Sequence, residues 1–339
     1  MRRRVSLPIY APRGSYIFAA PFFLPPLSRH DAIVNMLVDL HCHSTASDGA
    51  LDPRAVYQRA KERGVDLLAL TDHDSIEGYL ALKAAKELDG PALVPGIEFS
   101  ARNDALKLDN VHIVGLGFDP DDPAFQQFLA VQQGKRAERA QQIAAKVEKL
   151  GISDVMRKVE AKAGINDTGA RGADAGSGSS GGRKAEAVSI GRPHFAKVLI
   201  DEGYAKGMQQ AFTRFLGQGK RCYVRLEWPE MADIIGTIHA AGGKAVLAHP
   251  DRYRLTRTKR TKLIRHFHEA SGDAIELISG LQDRATTHDL SLIARELDLA
   301  VSLGSDFHTP EPLINDLGCT GELEDAFSHL RPVWQDLAP

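Results

Sequence analysis

Apolar residues along this chain follow two rhythms. From Met36 onward, short apolar runs of strand length alternate with stretches whose apolar positions recur every three or four residues. These are the side-chain periods of strands and helices. Strands are expected at 36–40, 67–70, 92–95 and 111–118, with helices at 53–63 and 75–88 between them. The alternation resumes late, with helices at 231–241, 259–270 and 291–297 and strands at 244–248, 274–278 and 300–303. Such a pattern predicts βα units around a mainly parallel sheet, and the reading is an α/β barrel.

The middle of the chain breaks the rhythm. Residues 121–150 form one long helical pattern, with Lys, Arg, Glu and Gln on one face and Phe125, Phe128, Leu129, Ile143 and Val147 on the other. Residues 167–183 are a Gly/Ser/Ala stretch, which cannot build a core and is expected to be a flexible surface loop. Helices are expected again at 190–202 and 208–216. The barrel therefore occupies 36–118 and 231–320, interrupted over 119–230 by a mostly helical subdomain, with 321–339 as a C-terminal tail. A doubly wound open sheet is the alternative, weakened because no Gly-rich phosphate loop follows the first strand.

Composition changes this picture only a little. The chain has 339 residues, 43% apolar and 25% charged, which is ordinary for a globular protein. Its formal charge of −2 argues against non-specific coating of nucleic acid but allows a local phosphate pocket. Cys42, Cys222 and Cys319 form no CxxC pair, so a reducing cytoplasm is the expected setting. No apolar run reaches the length of a membrane helix, and no protein partner is evident. Arg2-Arg3-Arg4 and the apolar run 16–24 are broken by Pro21 and followed by Pro25-Pro26. They are expected to be a disordered extension over 1–35, with Met36 as the working start, and not a secretory signal.

The 13 histidines carry the chemistry, because imidazole is the commonest metal ligand. In Asp39-Leu40-His41-Cys42-His43, residues two apart face one side of a strand, so His41 and His43 point together at its carboxyl end. Barrel enzymes keep their active sites at that end. His73 follows the second strand, flanked by Asp72 and Asp74, which either orient imidazoles or cap the next helix. For Asp74 the cap is expected. Glu98 stands alone in the apolar run Pro95-Gly96-Ile97-Glu98-Phe99 and needs a positive partner, either a metal or an arginine. His112 is as readily a satisfied core histidine as a ligand, and Asp48 as readily a turn residue. His249, and then Asp306 and His308, again sit just past the ends of strands.

The set DLHCHSTASDG, LALTDHD, PGIEFSA, HIVGLGFD, AVLAHP and LGSDFH, in that order, resembles the polymerase-and-histidinol-phosphatase (PHP) family from Met36 to about Gly318. The resemblance implies a distorted (β/α)7 TIM-like barrel with two or three divalent ions. Manganese comes first among these, with zinc and iron also compatible with mixed imidazole and carboxylate ligands. It implies one ion on His41, His43, Glu98 and Asp306, a second on Glu98, His112 and His249, and a third on Asp48, His73 and His308. Asp48 stands where some members use histidine. The segments IGRPHFA and GQGK resemble the branch acting on nucleoside 3',5'-bisphosphates and on 5' ends of short RNA. Arg192, His194 and Lys220 are then the phosphate-binding groups. Arg252 and Tyr253 are further substrate candidates, and His194 or a nearby carboxylate the proton donor. The implied reaction is metal-assisted phosphoester hydrolysis centred on Glu98. The alternatives are a histidinol-phosphate-type phosphatase, a C–N-cleaving amidohydrolase and a non-catalytic metal-binding module.

Overall fold

A computed structural model describes residues 36–85, 88–165, 188–310, 315–321, 323 and 325–337. The expected extension over 1–35 and the Gly/Ser stretch over 167–183 lie outside the described residues. The fold is mixed α/β. β1 (Val38–Cys42), β2 (Leu67–Leu70) and β3 (Ala92–Val94) form a parallel three-stranded sheet, separated by α1 (Pro53–Glu62) and α2 (Glu77–Lys83). β4 (Gly96–Asn103), β5 (Leu108–Leu116), β6 (Lys244–Leu247), β7 (Ala274–Ser279) and β8 (Ala300–Gly304) form the second sheet.

Strand direction departs from expectation at one place. β5 runs antiparallel to both β4 and β6, while β6, β7 and β8 are mutually parallel. The two sheets meet along two edges. At one, His43 N–H donates to Phe307 O at 2.9 Å and Asp306 N–H to His41 O at 2.7 Å. At the other, Asp74 N–H donates to Glu98 O at 2.9 Å. Pro95, without an N–H, separates β3 from β4. Gly96 then passes so close to β2 that a Cβ there would stand 2.5 Å from Leu70 O.

The main core lies between the sheets and the helices α7 (Met231–Ala240), α8 (Arg257–Glu269) and α9 (Arg284–Glu296). Phe118 stacks on Phe125 with ring centroids 4.4 Å apart, and Phe99 meets Phe125 edge-on. Each such fully buried side chain contributes roughly 1.5–3 kcal/mol. α9 begins seven positions before its expected start at 291, because Asp283 caps it by accepting Thr286 N–H at 2.9 Å. The C-terminal stretch packs Phe327, Leu330, Val333 and Trp334 into this core.

The central segment builds a separate apolar cluster between Ala140 and Val224, from α3 (Pro123–Glu148), α4 (Val155–Lys162), α5 (Arg192–Asp201) and α6 (Met208–Ala211). A π-helical turn at Phe212–Leu216 follows α6. The buried stripe of α3 runs through Phe125, Leu129, Gln132, Arg136, Arg139, Ile143 and Val147. Its middle is polar, which an apolar-versus-charged division of that helix did not separate. Among the described residues, no helix is long and apolar enough to cross a membrane.

Candidate metal centre

Six strands deliver side chains to one place: His41, His43, His73, His249, Asp306 and His308 come from the carboxyl ends of β1, β2, β6 and β8, Glu98 from the first half of β4 and His112 from the middle of the reversed β5. Glu98 lies at the centre. His41 Nε2 and His43 Nε2 approach Glu98 Oε2 at 3.4 and 3.3 Å, and His73 Nδ1 reaches it at 2.9 Å. The other oxygen, Oε1, takes His112 Nδ1 at 2.7 Å and His249 Nε2 at 3.1 Å. Asp306 Oδ1 stands 3.5 Å from His41, 3.2 Å from His43 and 3.5 Å from His308. Asp48 lies 3.4 Å from His308 and 3.8 Å from His73.

Seven of these side chains fall into three groups of ligand spacing: His43, Asp48, His73 and His308; His41, His43 and Glu98; and His73, Glu98 and His112. All the expected ligands therefore converge. The grouping differs from that implied by resemblance: His43 and His73 are each shared between two groups, His73 stands where His249 was expected beside Glu98 and His112, and Asp306 and His249 lie at the edges of the groups. Backbone geometry assists the convergence. His249 and Asp306 hold φ of 30° and 51°, a region costly for residues with a Cβ, by roughly 1–3 kcal/mol each.

The donor set fits divalent ions. Asp48 Oδ1, His73 Nδ1, Glu98 Oε2 and His249 Nδ1 are buried and have no hydrogen-bond partner. Buried polar atoms are rarely left so. His41 Nε2 and His43 Nε2 face each other at 3.1 Å, ring nitrogens aimed at one point. The electrostatics also call for cations. Burial would raise Glu98, yet His112, His73 and His41 hold it well below the carboxylate range. Burial would lower His308, but Asp48 and Asp306 push it up to about 10. Burial takes His43 down to about 3 and His112 to about 4.

A surrounding layer holds these side chains. Glu276, buried on β7, accepts from the His41 ring at 2.7 Å through Oε1 and from His249 N–H at 2.5 Å through Oε2. Asp72 accepts Ser44 N–H at 2.8 Å and the hydroxyls of Ser44 and Ser47, each at 2.7 Å. Asp39, raised to about 6 by burial, accepts Ser305 N–H at 3.0 Å and Gly318 N–H at 2.9 Å. Glu276 escaped the sequence reading, although it carries the signal that identified Glu98, a lone acid in an apolar strand. Asp74 is not the helix cap it was expected to be. α2 starts at Glu77 with Ile76 at its cap, and Asp74 accepts Arg136 at 2.8 Å and Ser100 N–H at 3.1 Å.

The substrate candidates are placed unevenly. Arg192 opens α5 with its guanidinium 5.7 Å over the Phe212 ring, and no described carboxylate pairs with it. His194 is buried, and its Nδ1 accepts Gly191 N–H at 3.1 Å, leaving Nε2 to carry the hydrogen. Burial lowers its pKa, opposed by Asp48. A Cβ on Gly191 would lie 3.9 Å from Asp48 Oδ2, which puts the start of α5 beside the cluster. Lys220 is exposed on the turn after the π-helical segment, with no contact to the ligands. Arg252 pairs with Asp306 and donates to Ser279 O at 3.0 Å. Tyr253 braces β5 against the turn after β6: its hydroxyl accepts His112 N–H at 2.9 Å and donates to Ala248 O at 3.0 Å.

Comparison with known proteins assigns the family. The PHP domain model matches residues 39–248. A 5'-3' exoribonuclease of Haemophilus influenzae is 38% identical over 297 residues, 88% of this chain and 97% of that protein. A 3',5'-nucleoside bisphosphate phosphatase of Chromobacterium violaceum is 39% identical over 300 residues, 88% of this chain and 96% of that protein. Among solved structures, an amidohydrolase from Chromobacterium violaceum with bound sulfate and no metal superimposes with a TM-score of 0.73 at 36% identity. That match covers 88% of this chain and 95% of the other. The matched span runs through most of the convergent ligands, and the chain belongs to the PHP-domain family as a metal-dependent hydrolase of phosphate esters.

Proposed function

We propose that the chain removes the 3'-phosphate of nucleoside 3',5'-bisphosphates and trims 5'-phosphorylated short RNA from its 5' end. The two curated relatives carry these two activities in their names. The observation that carries the reading is the start of α5, where Gly191 lies beside Asp48, His194 is buried within reach of that carboxylate's charge, and Arg192 pairs with no carboxylate among the described residues.

We read the two sheets as one distorted (β/α)7 barrel, with β3 and β4 acting as a single strand broken at Pro95. The hydrogen bonds at both sheet edges support this. Residues 119–230 are its inserted helical subdomain, supported by their own apolar cluster. His41, His43, Glu98 and Asp306 hold one ion, Glu98, His112 and His249 a second, and Asp48, His73 and His308 a third, manganese being the first choice. The setting is the cytoplasm, where the three unpaired cysteines stay thiols.

Divalent ions bound there supply Lewis acidity toward phosphoryl oxygens and make water a competent nucleophile at neutral pH. The protein's own groups do the rest. Arg192 forks onto the oxygens of the 5'-phosphate, with Lys220 as an outer cation. His194 donates its Nε2–H to the substrate as a neutral imidazole. Arg252, released from Asp306, faces the phosphoryl group being cleaved. A C–N-cleaving reaction would leave these cations without a purpose.

The test is kcat/KM for adenosine 3',5'-bisphosphate, 3'-AMP and histidinol phosphate in wild type and Arg192→Ala. The bisphosphate should be the best substrate. Arg192→Ala should lower its value roughly ten- to a hundredfold, the size of one charge-assisted contact, while leaving 3'-AMP unchanged. Equal cleavage of 3'-AMP by wild type, or preference for histidinol phosphate, would refute the phosphate handle.

A further inference from the structure

The chain as a whole is close to neutral, with 42 Lys and Arg against 44 Asp and Glu. Between Asp251 and Glu269, however, it carries no carboxylate, while Arg or Lys stands at 252, 254, 257, 259, 260, 262 and 265. The run begins inside the metal centre, where Arg252 pairs with Asp306. It leaves through Arg254, exposed at φ 53°, and enters α8 at Arg257. Arg257 and Arg260 share Asp289, and Arg265 meets Glu296. Arg254, Lys259 and Lys262 are exposed and meet no carboxylate among the described residues. Lys259 and Lys262, three apart, lie on one face of α8.

A helix face kept only for solubility mixes both signs and gains from acid–base pairs along its length. α8 has no acid before Glu269, and the acids of α9 offset only Arg257, Arg260 and Arg265, which leaves Lys259 and Lys262 as uncompensated like charges on the exposed face. Position gives the tract a direction. The insert lies over the ends of β1, β2 and β4, through Ser189 N–H to Ala46 O at 3.0 Å and Arg136 to Asp74 and Ser100. Arg252 lies over the ends of β7 and β8, through Ser279 and Asp306. A strand whose 5'-phosphate is held at Arg192, with its next phosphodiester at the metal ligands, leaves the centre past Arg252.

We propose that Arg254, Lys259 and Lys262 form a binding site for the phosphodiester backbone of single-stranded RNA, on the 3' side of the bond being cut. This rests on the reading that short RNA is a substrate of the metal centre. A mononucleotide ends before the tract and does not feel it. A longer strand is held there by phosphate contacts, independently of base sequence.

The test is the triple variant Arg254→Gln, Lys259→Gln, Lys262→Gln, assayed with manganese on adenosine 3',5'-bisphosphate and on an unstructured 5'-phosphorylated oligoribonucleotide of about ten residues. On RNA, kcat/KM should fall about tenfold at low salt. Its dependence on log salt should become shallower by about 2, since each single-strand phosphate contact contributes about 0.7. Turnover of the bisphosphate should stay within about twofold, which also reports that the variant is folded. Unchanged RNA turnover with an unchanged salt slope would overturn the tract while leaving the RNA activity intact. Wild type that cleaves the bisphosphate but trims no RNA would overturn both the RNA reading and the tract. Equal losses on both substrates would place the effect in the metal centre and overturn the proposal as well.

Discussion

Two buried carboxylates stand across the same sheet junction and are treated in opposite ways. Asp74 donates its backbone N–H to the carbonyl of Glu98, so the two residues are neighbours. Asp74 is satisfied by protein: Arg136 covers one oxygen and Ser100 N–H the other. Arg136 in turn donates to the Ser100 hydroxyl at 2.9 Å. Glu98 is ringed by imidazoles, and its Oε2 finds no hydrogen bond. A buried charge closed by a guanidinium fastens α3 to the sheets, whereas one left open to ring nitrogens is built to receive a cation. Residue type alone does not tell the two apart. Their partners do.

The largest effect should come from Glu98. Glu98→Gln removes the charge shared by two of the ligand groups and should lower turnover by several kcal/mol, roughly 10³-fold or more. Bound metal, measured on purified protein, should fall with it, and chelators should likewise silence wild type. Asp74→Ala should act on the other side of the comparison. It leaves Arg136 buried without a carboxylate, which costs about 3–5 kcal/mol of stability. The loss should appear as a melting temperature lower by roughly ten degrees, at about 2–4 degrees per kcal/mol. If Asp74→Ala stripped metal, or Glu98→Gln mainly destabilised the fold, the division between fastener and receptor would be wrong.

Glu276 sharpens the contrast at a smaller scale. Its two oxygens accept from the His41 ring on β1 and from His249 N–H in the turn after β6, so it positions two of the clustered histidines. Glutamine offers only one acceptor oxygen, and Glu276→Gln must leave one of these donors facing an amide N–H. Metal affinity should weaken about 10–100-fold, as for other groups that orient a ligating histidine. Metal titration would show it, with kcat largely recovered at saturating metal. An unchanged titration midpoint would reduce Glu276 to a packing residue.

How much of this was legible in the chain depends on how local each signal is. His41 and His43, or Asp306 and His308, lie two apart at a strand end, and that spacing alone puts both side chains on one side. Glu98 and Glu276 carry the same mark, yet only Glu98 falls within a recognisable motif. The pairing of Asp74 with Arg136 spans 62 positions, and no local pattern reports it. Periodicity gives a strand's faces but not its direction, so the reversal of β5 stayed hidden. The polar middle of α3, Gln132-Arg136-Arg139 within an apolar stripe, was visible in principle. Among so many charged residues on that helix it did not stand out.

The smallest effect, and the one that best separates a partly exposed ion pair from a fully buried one, belongs to Asp289. Its oxygens hold Arg257 and Arg260 on α8, and the hydrogen bond from Arg257, more than any other influence, keeps its carboxyl below the usual range. A carboxyl whose pKa is depressed on folding adds stability above its unfolded pKa and loses it as pH falls through the folded one. Arg257 is 70% exposed while Arg260 and Asp289 are 14% and 16% exposed, so Asp289→Asn should cost about 1 kcal/mol at neutral pH. The difference from wild type should vanish once pH drops well below the carboxylate range, where both proteins lack the charge. Raised salt should shrink it too. A deficit that survived acid and salt alike would mean Asp289 acts through packing. The same change releases Arg257 and Arg260 into the basic face of α8. RNA turnover at low salt should then rise slightly while bisphosphate turnover holds still, opposite in sign to the loss expected when cations are removed from that face.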